Sequence, residues 1–170
     1  YANCSYAVGV GNATDALEML VQIADIQRND EVIISTHTMI ATASAISSIG
    51  AIPIPIDCGT DHLIDTSAIE KSITDRTKSL MPTQLNGRTA NMDEICRIAE
   101  KYDLSIIEDS AQALGSKFKG KNAGTFGIGG CISFYPAKVL GCLGDGGIIL
   151  CNDVDTYEKL LMIRDHGRDP

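Results

Sequence analysis

The stretch DEVIISTHTMIATASAISSIGAIPIPID, residues 30–57, contains two buried-strand patterns with a helical pattern between them. EVIIS (31–35) and IPIPID (52–57) are short apolar runs that lack the polar alternation of a half-exposed strand. ATASAISSIG (41–50) is rich in small and apolar residues and ends at a glycine, which is a common helix stop. This strand–helix–strand unit predicts parallel strands that are covered on both faces.

The rest of the chain continues the alternation. Four further apolar runs are typical of buried strands: KSLMPTQ (78–84), LSIIED (104–109), GCISFY (130–135) and GIILCN (147–152). Three further segments have helical spacing: TDALEMLVQIADI (14–26), DTSAIEKSI (65–73) and MDEICRIAEKY (92–102), the last capped by Asn91 or Asp93. Nine glycines between Gly120 and Gly147 predict loop and strand there. Because the sequence has no internal repeat or linker, we expect one α/β domain with a mostly parallel sheet.

Composition narrows the class of protein. The 170 residues carry a net charge of −8 without a basic cluster, which argues against a nucleic-acid partner. No apolar run approaches the roughly 20 residues that span a bilayer, and no secretory leader follows Tyr1. The six cysteines lack the paired spacing and nearby histidines of a zinc site, so we expect no bound metal. We expect reduced cysteines and a cytoplasmic location.

Parallel sheets bind ligands at the carboxyl ends of their strands, and three motifs lie where such ends are expected. The first is GVGNATDAL (9–17), in which a helix beginning at Thr14 or Asp15 could offer backbone N–H groups to a phosphate. The same letters also fit a dinucleotide fingerprint, although no clear strand precedes them, or a plain helix cap with a turn.

The second motif is SIIEDSAQALG (105–115), where an apolar strand runs into two acids. Alternation along the strand predicts that Glu108 and Asp109 point to opposite sides. A buried carboxylate needs a partner, and a protonated heterocycle nitrogen is a suitable one. The alternative is that the acids cap a helix over SAQAL.

The third motif is SFYPAKVLG (133–141), in which Lys138 stands alone, with no further charge until Asp145. A desolvated lysine can attack carbonyl groups, whereas the alternative is an ordinary solvated loop lysine. A phosphate site, an acid at a strand end and an isolated amine, taken together, are what a pyridoxal phosphate enzyme requires.

Several stretches resemble, in order, the DegT/DnrJ/EryC1/StrS family of sugar aminotransferases: GNATDALEML, DEVIISTHTMIATASAI, GAIPIPID, IEDSAQALGSKFKGKNAGTFG, CISFYPAKVLGCLGDGG and LLMIRDHGR. The resemblance covers essentially the whole chain. It implies a three-layer large domain of the aspartate aminotransferase-like, fold type I class of pyridoxal phosphate-dependent transferases. By the same resemblance, residues 1–170 are expected to be this cofactor-binding domain, without the N-terminal segment and C-terminal small domain of family members.

The resemblance also implies roles for seven residues. Lys138 matches the lysine that binds the cofactor covalently, Asp109 the acid at the pyridine nitrogen, and Gln112 the polar residue near the phenolic oxygen. The phosphate binders are matched by Ser133, Ala13 and Thr14. Met39 stands where the family usually has an aromatic ring stacked on the cofactor, and Ala13 stands where glycine is common.

The function that the resemblance implies is transfer of an amino group, from glutamate, to a keto group of a nucleotide-linked sugar by a homodimer with shared active sites. Candidate sugar contacts are His37, Gln84 and His166, each of which could equally be an ordinary loop or strand-end residue. One alternative is a noncatalytic regulatory relative that binds cofactor or sugar. Another is a nucleotide-binding oxidoreductase that uses GVGNAT, which would require a strand before Gly9.

Overall fold

The computed structural model describes residues 1–168 and has a seven-stranded sheet at its centre. The strands are β1 Tyr6–Val10, β2 Glu31–Ser35, β3 Ile52–Ile56, β4 Thr77–Met81, β5 Ser105–Asp109, β6 Lys117–Phe118, β7 Lys121–Asn122, β8 Gly129–Ser133 and β9 Gly147–Cys151. The helices are α1 Ala13–Ile23, α2 Ile40–Ser47, α3 Thr66–Ser72, α4 Met92–Tyr102 and α5 Val154–Arg164, and a 3₁₀ turn covers Leu85–Gly87. β6 and β7 form a separate short hairpin.

The sheet has the strand order β1-β9-β8-β5-β4-β2-β3. β9 pairs antiparallel with both of its neighbours, whereas the other pairs of the large sheet are parallel. The prediction of a mostly parallel sheet is therefore correct, with one reversed strand near the β1 edge. The carboxyl ends of β2, β4, β5 and β8 meet at one edge of the sheet, as the parallel pairing requires.

Helices cover both faces of the sheet, which makes three layers. One core contains Leu17 and Leu20 of α1, Ile46 of α2 and Leu160 of α5. The other core holds the buried side chains of α3 and α4, Ile69, Ile95 and Ile98 among them. Consecutive strand residues alternate between the two cores, as Ile106 and Ile107 do in β5. This alternation explains why the strands are apolar along their whole length.

The sequence reasoning did not find β1, α5 or the short β6–β7 hairpin. β1 precedes the glycine motif, so the expectation of no strand there is wrong; only Val8 of this edge strand is fully buried. α5 mixes polar and apolar residues without a clear apolar face, and Leu160 is its one buried residue. The alternative of a helix over SAQAL is wrong, because the chain forms turns immediately after Asp109. Within residues 1–168, no helix has both the length and the apolar character needed to cross a membrane.

Candidate active site

A cavity of about 590 Å³ opens at the carboxyl edge of the sheet. It lies between the beginning of α1, the segment after β5 and the loop after β8. All seven residues that the family resemblance singled out line it: Ala13, Thr14, Met39, Asp109, Gln112, Ser133 and Lys138. They come from parts of the chain more than 120 residues apart in sequence, so the fold is what brings them together.

Asp109 is the buried acid of this cavity and retains only 4% of its exposure. Its Oδ2 accepts a hydrogen bond from the Thr42 hydroxyl at 2.6 Å, and its Oδ1 accepts one from the Ala111 backbone N–H at 3.2 Å. The backbone is also held, because the Asp109 carbonyl accepts from the Gln84 N–H at 2.8 Å. The carboxylate therefore has a fixed orientation.

The neighbouring thiol adds no negative charge to that carboxylate. Cys131 in β8 is fully buried, and its Sγ lies 3.6 Å from Asp109 Oδ1. Burial, together with the charge of Asp109, raises the pKa of the Cys131 thiol well above its ordinary value. The thiol stays protonated at neutral pH and donates weakly to Asp109.

Glu108 lies on the opposite face of β5, as the alternation predicted. It is fully buried outside the cavity and accepts hydrogen bonds from Gln84 Nε2 and from the Phe126 N–H, both at 2.7 Å. Burial raises the pKa of the Glu108 carboxyl, against the opposing effect of these hydrogen bonds. Of the two acids, Asp109 alone lines the cavity.

The beginning of α1 forms the second wall. Asn12 caps the helix, its Oδ1 accepting from the Asp15 N–H at 2.9 Å, so the helix begins at Ala13 instead of Thr14 or Asp15. The N–H groups of Ala13 and Thr14 have no partner among residues 1–168. Unpaired N–H groups at a helix N-terminus attract anions. Ser133, at the end of β8, lines the same cavity.

Gly147, the first residue of β9, allows this strand to approach the beginning of α1. A Cβ atom at Gly147 would lie 2.6 Å from the backbone carbon of Asn12 and 2.9 Å from the nitrogen of Ala13. Only glycine therefore permits β9 to pass so close to the first turn of α1. Gly147, the last glycine of GDGG, thus allows close packing at the cavity wall.

Lys138 lies in the loop that joins β8 to β9 and is half-buried. The base of this loop is closed by backbone hydrogen bonds from Phe134 to Gly146 and from Cys142 to Phe134, each 2.8 Å long. The Lys138 N–H donates to the Tyr135 carbonyl, also at 2.8 Å. Within residues 1–168, no side-chain acceptor binds Lys138 Nζ, so the amine is available to a ligand in the cavity.

Gln112 and Met39 complete the predicted set. Gln112 is held at the cavity wall because its Oε1 accepts from the Asn86 N–H at 3.3 Å and its carbonyl accepts from the Gly87 N–H at 3.0 Å. Met39 immediately precedes α2 and is 58% exposed, so its thioether covers the cavity loosely.

The three candidate sugar contacts lie elsewhere. Gln84 is fully buried between Glu108 and Met92, with its Oε1 accepting from the Ala90 N–H at 2.7 Å. His37 is exposed and contacts His62 edge-on, with ring centroids 5.9 Å apart. Neither these two nor His166 lines the cavity. Among residues 1–168, no cluster of three or more histidine, cysteine, aspartate or glutamate side chains is placed to hold a metal ion.

Sequence reasoning also missed residues that the structure brings to the site. Thr42 contacts Asp109 although the two are 67 positions apart. Asn12, Thr83, Tyr135 and Asp145 line the cavity. Of these, only Asn12 carried a local signal, as a capping residue placed three positions before Asp15.

The donor set fits pyridoxal phosphate. The α1 N-terminus and Ser133 could receive a phosphate, the Asp109 carboxylate a protonated ring nitrogen, and the free amine of Lys138 an aldehyde. A cavity of about 590 Å³ also lies within the usual size of a small-molecule site.

Comparison with known proteins identifies the family of the chain. The sequence profile of the DegT/DnrJ/EryC1/StrS aminotransferase family matches residues 1–170. The chain belongs to this family. Aminotransferases of the family depend on pyridoxal phosphate.

Individual members resemble the chain closely. It is 40% identical over 168 residues to dTDP-3-amino-3,4,6-trideoxy-alpha-D-glucose transaminase of Streptomyces venezuelae, covering 98% of this chain and 44% of the relative. It is 40% identical over 171 residues to a protein of Geobacillus stearothermophilus named pleiotropic regulatory protein, covering 100% of this chain and 46% of that protein. The chain thus spans about half the length of the curated relatives it matches.

The fold agrees as well. The solved structure of S. venezuelae DesV in complex with a ketimine intermediate matches with a TM-score of 0.95 and 40% identity, covering 99% of this chain and 46% of that one. The predicted fold class is confirmed: the chain is α/β with a mostly parallel central sheet, and the structures it matches are those of pyridoxal phosphate-dependent sugar aminotransferases. The dinucleotide-fingerprint alternative is not supported, because β1 is an edge strand antiparallel to β9 instead of a central parallel strand.

Proposed function

We propose that residues 1–170 are the cofactor-binding large domain of a pyridoxal phosphate-dependent aminotransferase. The observation that carries this proposal is the convergence of Lys138, Asp109 and the α1 N-terminus on one cavity. Each supplies a different chemical group: an amine, a buried carboxylate and free N–H donors. Membership of the aminotransferase family supports the same assignment.

Different residues bind different parts of the cofactor. Bound pyridoxal phosphate supplies an electron sink for the pair of electrons left on a substrate carbon when its proton is removed. Asp109 holds the proton on the ring nitrogen, and its own hydrogen bonds from Thr42 and Ala111 keep it oriented for that task. Ala13, Thr14 and Ser133 hold the phosphate and so fix the position of the ring.

Lys138 has two tasks. Its Nζ would hold bound pyridoxal phosphate through the aldehyde, and the amine would become free once the amino group of the donor took its place there. The freed amine then takes the proton from Cα of the donor and, in the second half of the reaction, gives a proton to the carbon that carried the keto group. The loop closed by the hydrogen bond between Phe134 and Gly146 keeps this amine at the cavity.

We propose a keto sugar linked to a nucleotide as acceptor and glutamate as donor. The name of the S. venezuelae relative, a transaminase of a dTDP-linked sugar, supports the acceptor class. We further propose a homodimer. The loop that carries Lys138 exposes Val139, Leu140 and Leu143, and exposed apolar groups in a row favour coverage by another subunit. Six unpaired cysteines support a cytoplasmic location.

The test is borohydride reduction of the full-length protein with pyridoxal phosphate, followed by peptide mapping. We expect a pyridoxyl group on Lys138 in the wild type and in Lys121→Arg, and no label at that position in Lys138→Arg. Lys121 is the matched control because its Nζ lies over the Phe126 ring, 4.5 Å from the centroid, and outside the cavity. Label scattered over surface lysines would refute the proposed role of Lys138.

A noncatalytic regulatory relative is the second candidate, and the name of the G. stearothermophilus relative favours keeping it. Both candidates would be labelled on Lys138. They differ when glutamate is added to the unreduced protein with bound pyridoxal phosphate. An aminotransferase converts the cofactor to its amino form, whereas a sensor leaves it unchanged. Absorbance near the cofactor band, followed over time, separates the two.

A further inference from the structure

Three threonine hydroxyls connect the cavity wall with the carboxylate of Asp109. Thr83 Oγ1 donates to Thr38 Oγ1 at 2.8 Å, Thr38 and Thr42 Oγ1 lie 2.6 Å apart, and Thr42 Oγ1 donates to Asp109 Oδ2 at 2.6 Å. Thr42 is fully buried, and Thr83 and Asp109 each keep 4% of their exposure. Thr38 lies in the loop after β2, Thr42 lies in α2 and Thr83 lies in the segment after β4.

The number of protons fixes the direction of this chain. A threonine hydroxyl has one proton to donate. Thr42 spends its proton on the ionised carboxylate, so Thr38 must donate to Thr42, and Thr83 must then donate to Thr38. All three protons point towards Asp109, and hydrogen bonds aligned in this way strengthen one another in a buried setting.

We propose that Thr42 is a positioning residue for Asp109 and that Thr38 and Thr83 fix the direction of its proton. This inference rests on the proposed function, in which Asp109 holds the ring nitrogen of the cofactor. With Oδ2 held by Thr42 and Oδ1 by the Ala111 N–H, the plane of the carboxylate is set before any ligand enters. Thr83, having given its proton to Thr38, offers only lone pairs to the cavity that it lines.

The position of each threonine in this chain of hydrogen bonds predicts how strongly its substitution lowers the rate of the glutamate half-reaction. Thr42→Val removes the direct, charge-assisted hydrogen bond, and we expect the rate of the glutamate half-reaction to fall by roughly tenfold or more. Thr42→Ser keeps the hydroxyl and should stay within about threefold of the wild type. Thr38→Val leaves the direct bond but removes the donor behind it, so its loss should lie between these two. A packing role would not produce this order, because Ser fills the space of Thr less well than Val does.

Thr74→Val is the matched control. The Thr74 hydroxyl also donates to a carboxylate at 2.6 Å, that of Glu31, but at the opposite edge of the sheet. We expect it to lower stability without changing the half-reaction rate or the affinity for pyridoxal phosphate. A rate loss in Thr74→Val equal to that in Thr42→Val would overturn the proposal, because the effect would then be a general one on folding.

A second readout does not depend on activity. In the full-length protein without added cofactor, NMR should show slowly exchanging hydroxyl protons for Thr42 and Thr38 in the wild type, and for the serine at position 42 and Thr38 in Thr42→Ser. The Thr38 signal should shift in Thr42→Val and in Asp109→Asn. If these signals are seen but borohydride fails to label Lys138, the proposed function fails while the hydroxyl chain stands. If they are absent, or if Thr42→Val matches the wild type in half-reaction rate, the chain does not position Asp109.

Discussion

Gln84 Nε2 donates a hydrogen bond to Glu108 Oε2 at 2.7 Å, and both side chains are fully buried. The same glutamine donates its backbone N–H to the carbonyl of Asp109 at 2.8 Å. Gln84 therefore holds both the side chain of Glu108 and the backbone of Asp109. Asp109 is fixed from the side of the sheet that faces α4 as well as from the cavity side.

The first prediction concerns the dependence of stability on pH. Burial raises the pKa of Glu108 above the ordinary value of 4.5. Its contribution to stability is therefore fully present below that ordinary value and is lost as pH rises through the raised pKa of the folded state. Glu108→Gln has no such titration. We expect the stability of the wild type relative to Glu108→Gln to fall between pH 4 and pH 8, as measured by urea unfolding at both values.

The control for this titration is Glu94→Gln. Hydrogen bonds from Arg97 lower the pKa of Glu94, so its contribution has the opposite sign and is lost as pH falls. The free energy of unfolding of the wild type should therefore increase relative to that of Glu94→Gln as pH rises from 4. Parallel pH profiles for Glu108→Gln and Glu94→Gln would contradict the assignment of Glu108 as a carboxyl whose charge is penalised by burial.

The second prediction concerns Met39, which is 58% exposed at the cavity wall. Met39→Phe should tighten binding of pyridoxal phosphate about two- to tenfold, because stacked rings gain about 0.5–1.5 kcal/mol beyond their burial. Ile40→Phe is the control, since Ile40 is the adjacent residue, is 77% exposed and does not line the cavity. Equal affinity gains in both variants would mean that the effect is not stacking in this cavity.

Most of the strands that sequence reasoning found are buried. β3 is the exception, because it is the other edge strand and only Ile56 in it is buried, so the expectation that it is covered on both faces is wrong. β2 and β5 are buried along their length, and uninterrupted apolar runs identify such strands directly. β1 lies at the edge with a single fully buried residue, Val8, and α5 buries only Leu160, so neither leaves a clear periodic signal. Elements with little buried surface are recognised from hydrophobic pattern only when they are apolar for another reason, as the isoleucines of β3 are.

The site was predictable only as far as local motifs and resemblance extend. Lys138 and Asp109 stand in distinctive stretches, and both line the cavity. Thr42 was missed because its partner Asp109 is 67 positions away. Gln84 is a candidate sugar contact by its place after a strand, but the segment after β4 still pairs with β5 through Thr83, so Thr83 faces the cavity and the Gln84 side chain points into the core.

The third prediction concerns Gly147. In Gly147→Ala the new methyl carbon would lie 2.6 Å from the backbone of Asn12, and backbone cannot yield as a flexible side chain can. We expect a loss of about 1–3 kcal/mol in unfolding free energy from overpacking. Affinity for pyridoxal phosphate should also fall, because the beginning of α1 must move. Urea unfolding and cofactor titration measure the two effects.

Gly9→Ala is a closely matched control for that variant. Gly9 lies in the same antiparallel ladder, opposite Ile148 and next to the pair of Val10 with Gly147. A Cβ atom there meets nothing within 4 Å. Its unfolding free energy should stay within about 0.5 kcal/mol of the wild type, as is usual for surface substitutions. If Gly147→Ala is equally harmless, the close approach of β9 to α1 does not constrain the site.

The fourth prediction separates helix capping from anion binding at Asn12. Asn12→Asp keeps a good N-cap acceptor for the Asp15 N–H but replaces the hydrogen bond to Asp15 Oδ2 by a like-charge contact, so we expect a small loss of helix stability. It also places a negative charge at the cavity wall beside Asp15, whose Oδ2 now accepts from Asn12 Nδ2 at 3.1 Å. We expect the affinity for pyridoxal phosphate to fall by roughly tenfold or more through charge repulsion with the phosphate.

Two further variants complete this comparison. Asn12→Ser keeps the cap without the charge and should retain both stability and affinity, whereas Asn12→Ala should cost about 0.5–2 kcal/mol of stability through loss of the cap. Stability is measured by urea unfolding, and affinity by titration with pyridoxal phosphate and, separately, with inorganic phosphate. The charge argument requires Asn12→Asp to weaken both ligands. If it weakens neither, the phosphate does not lie at the beginning of α1, and the anion site must be sought at Ser133 alone.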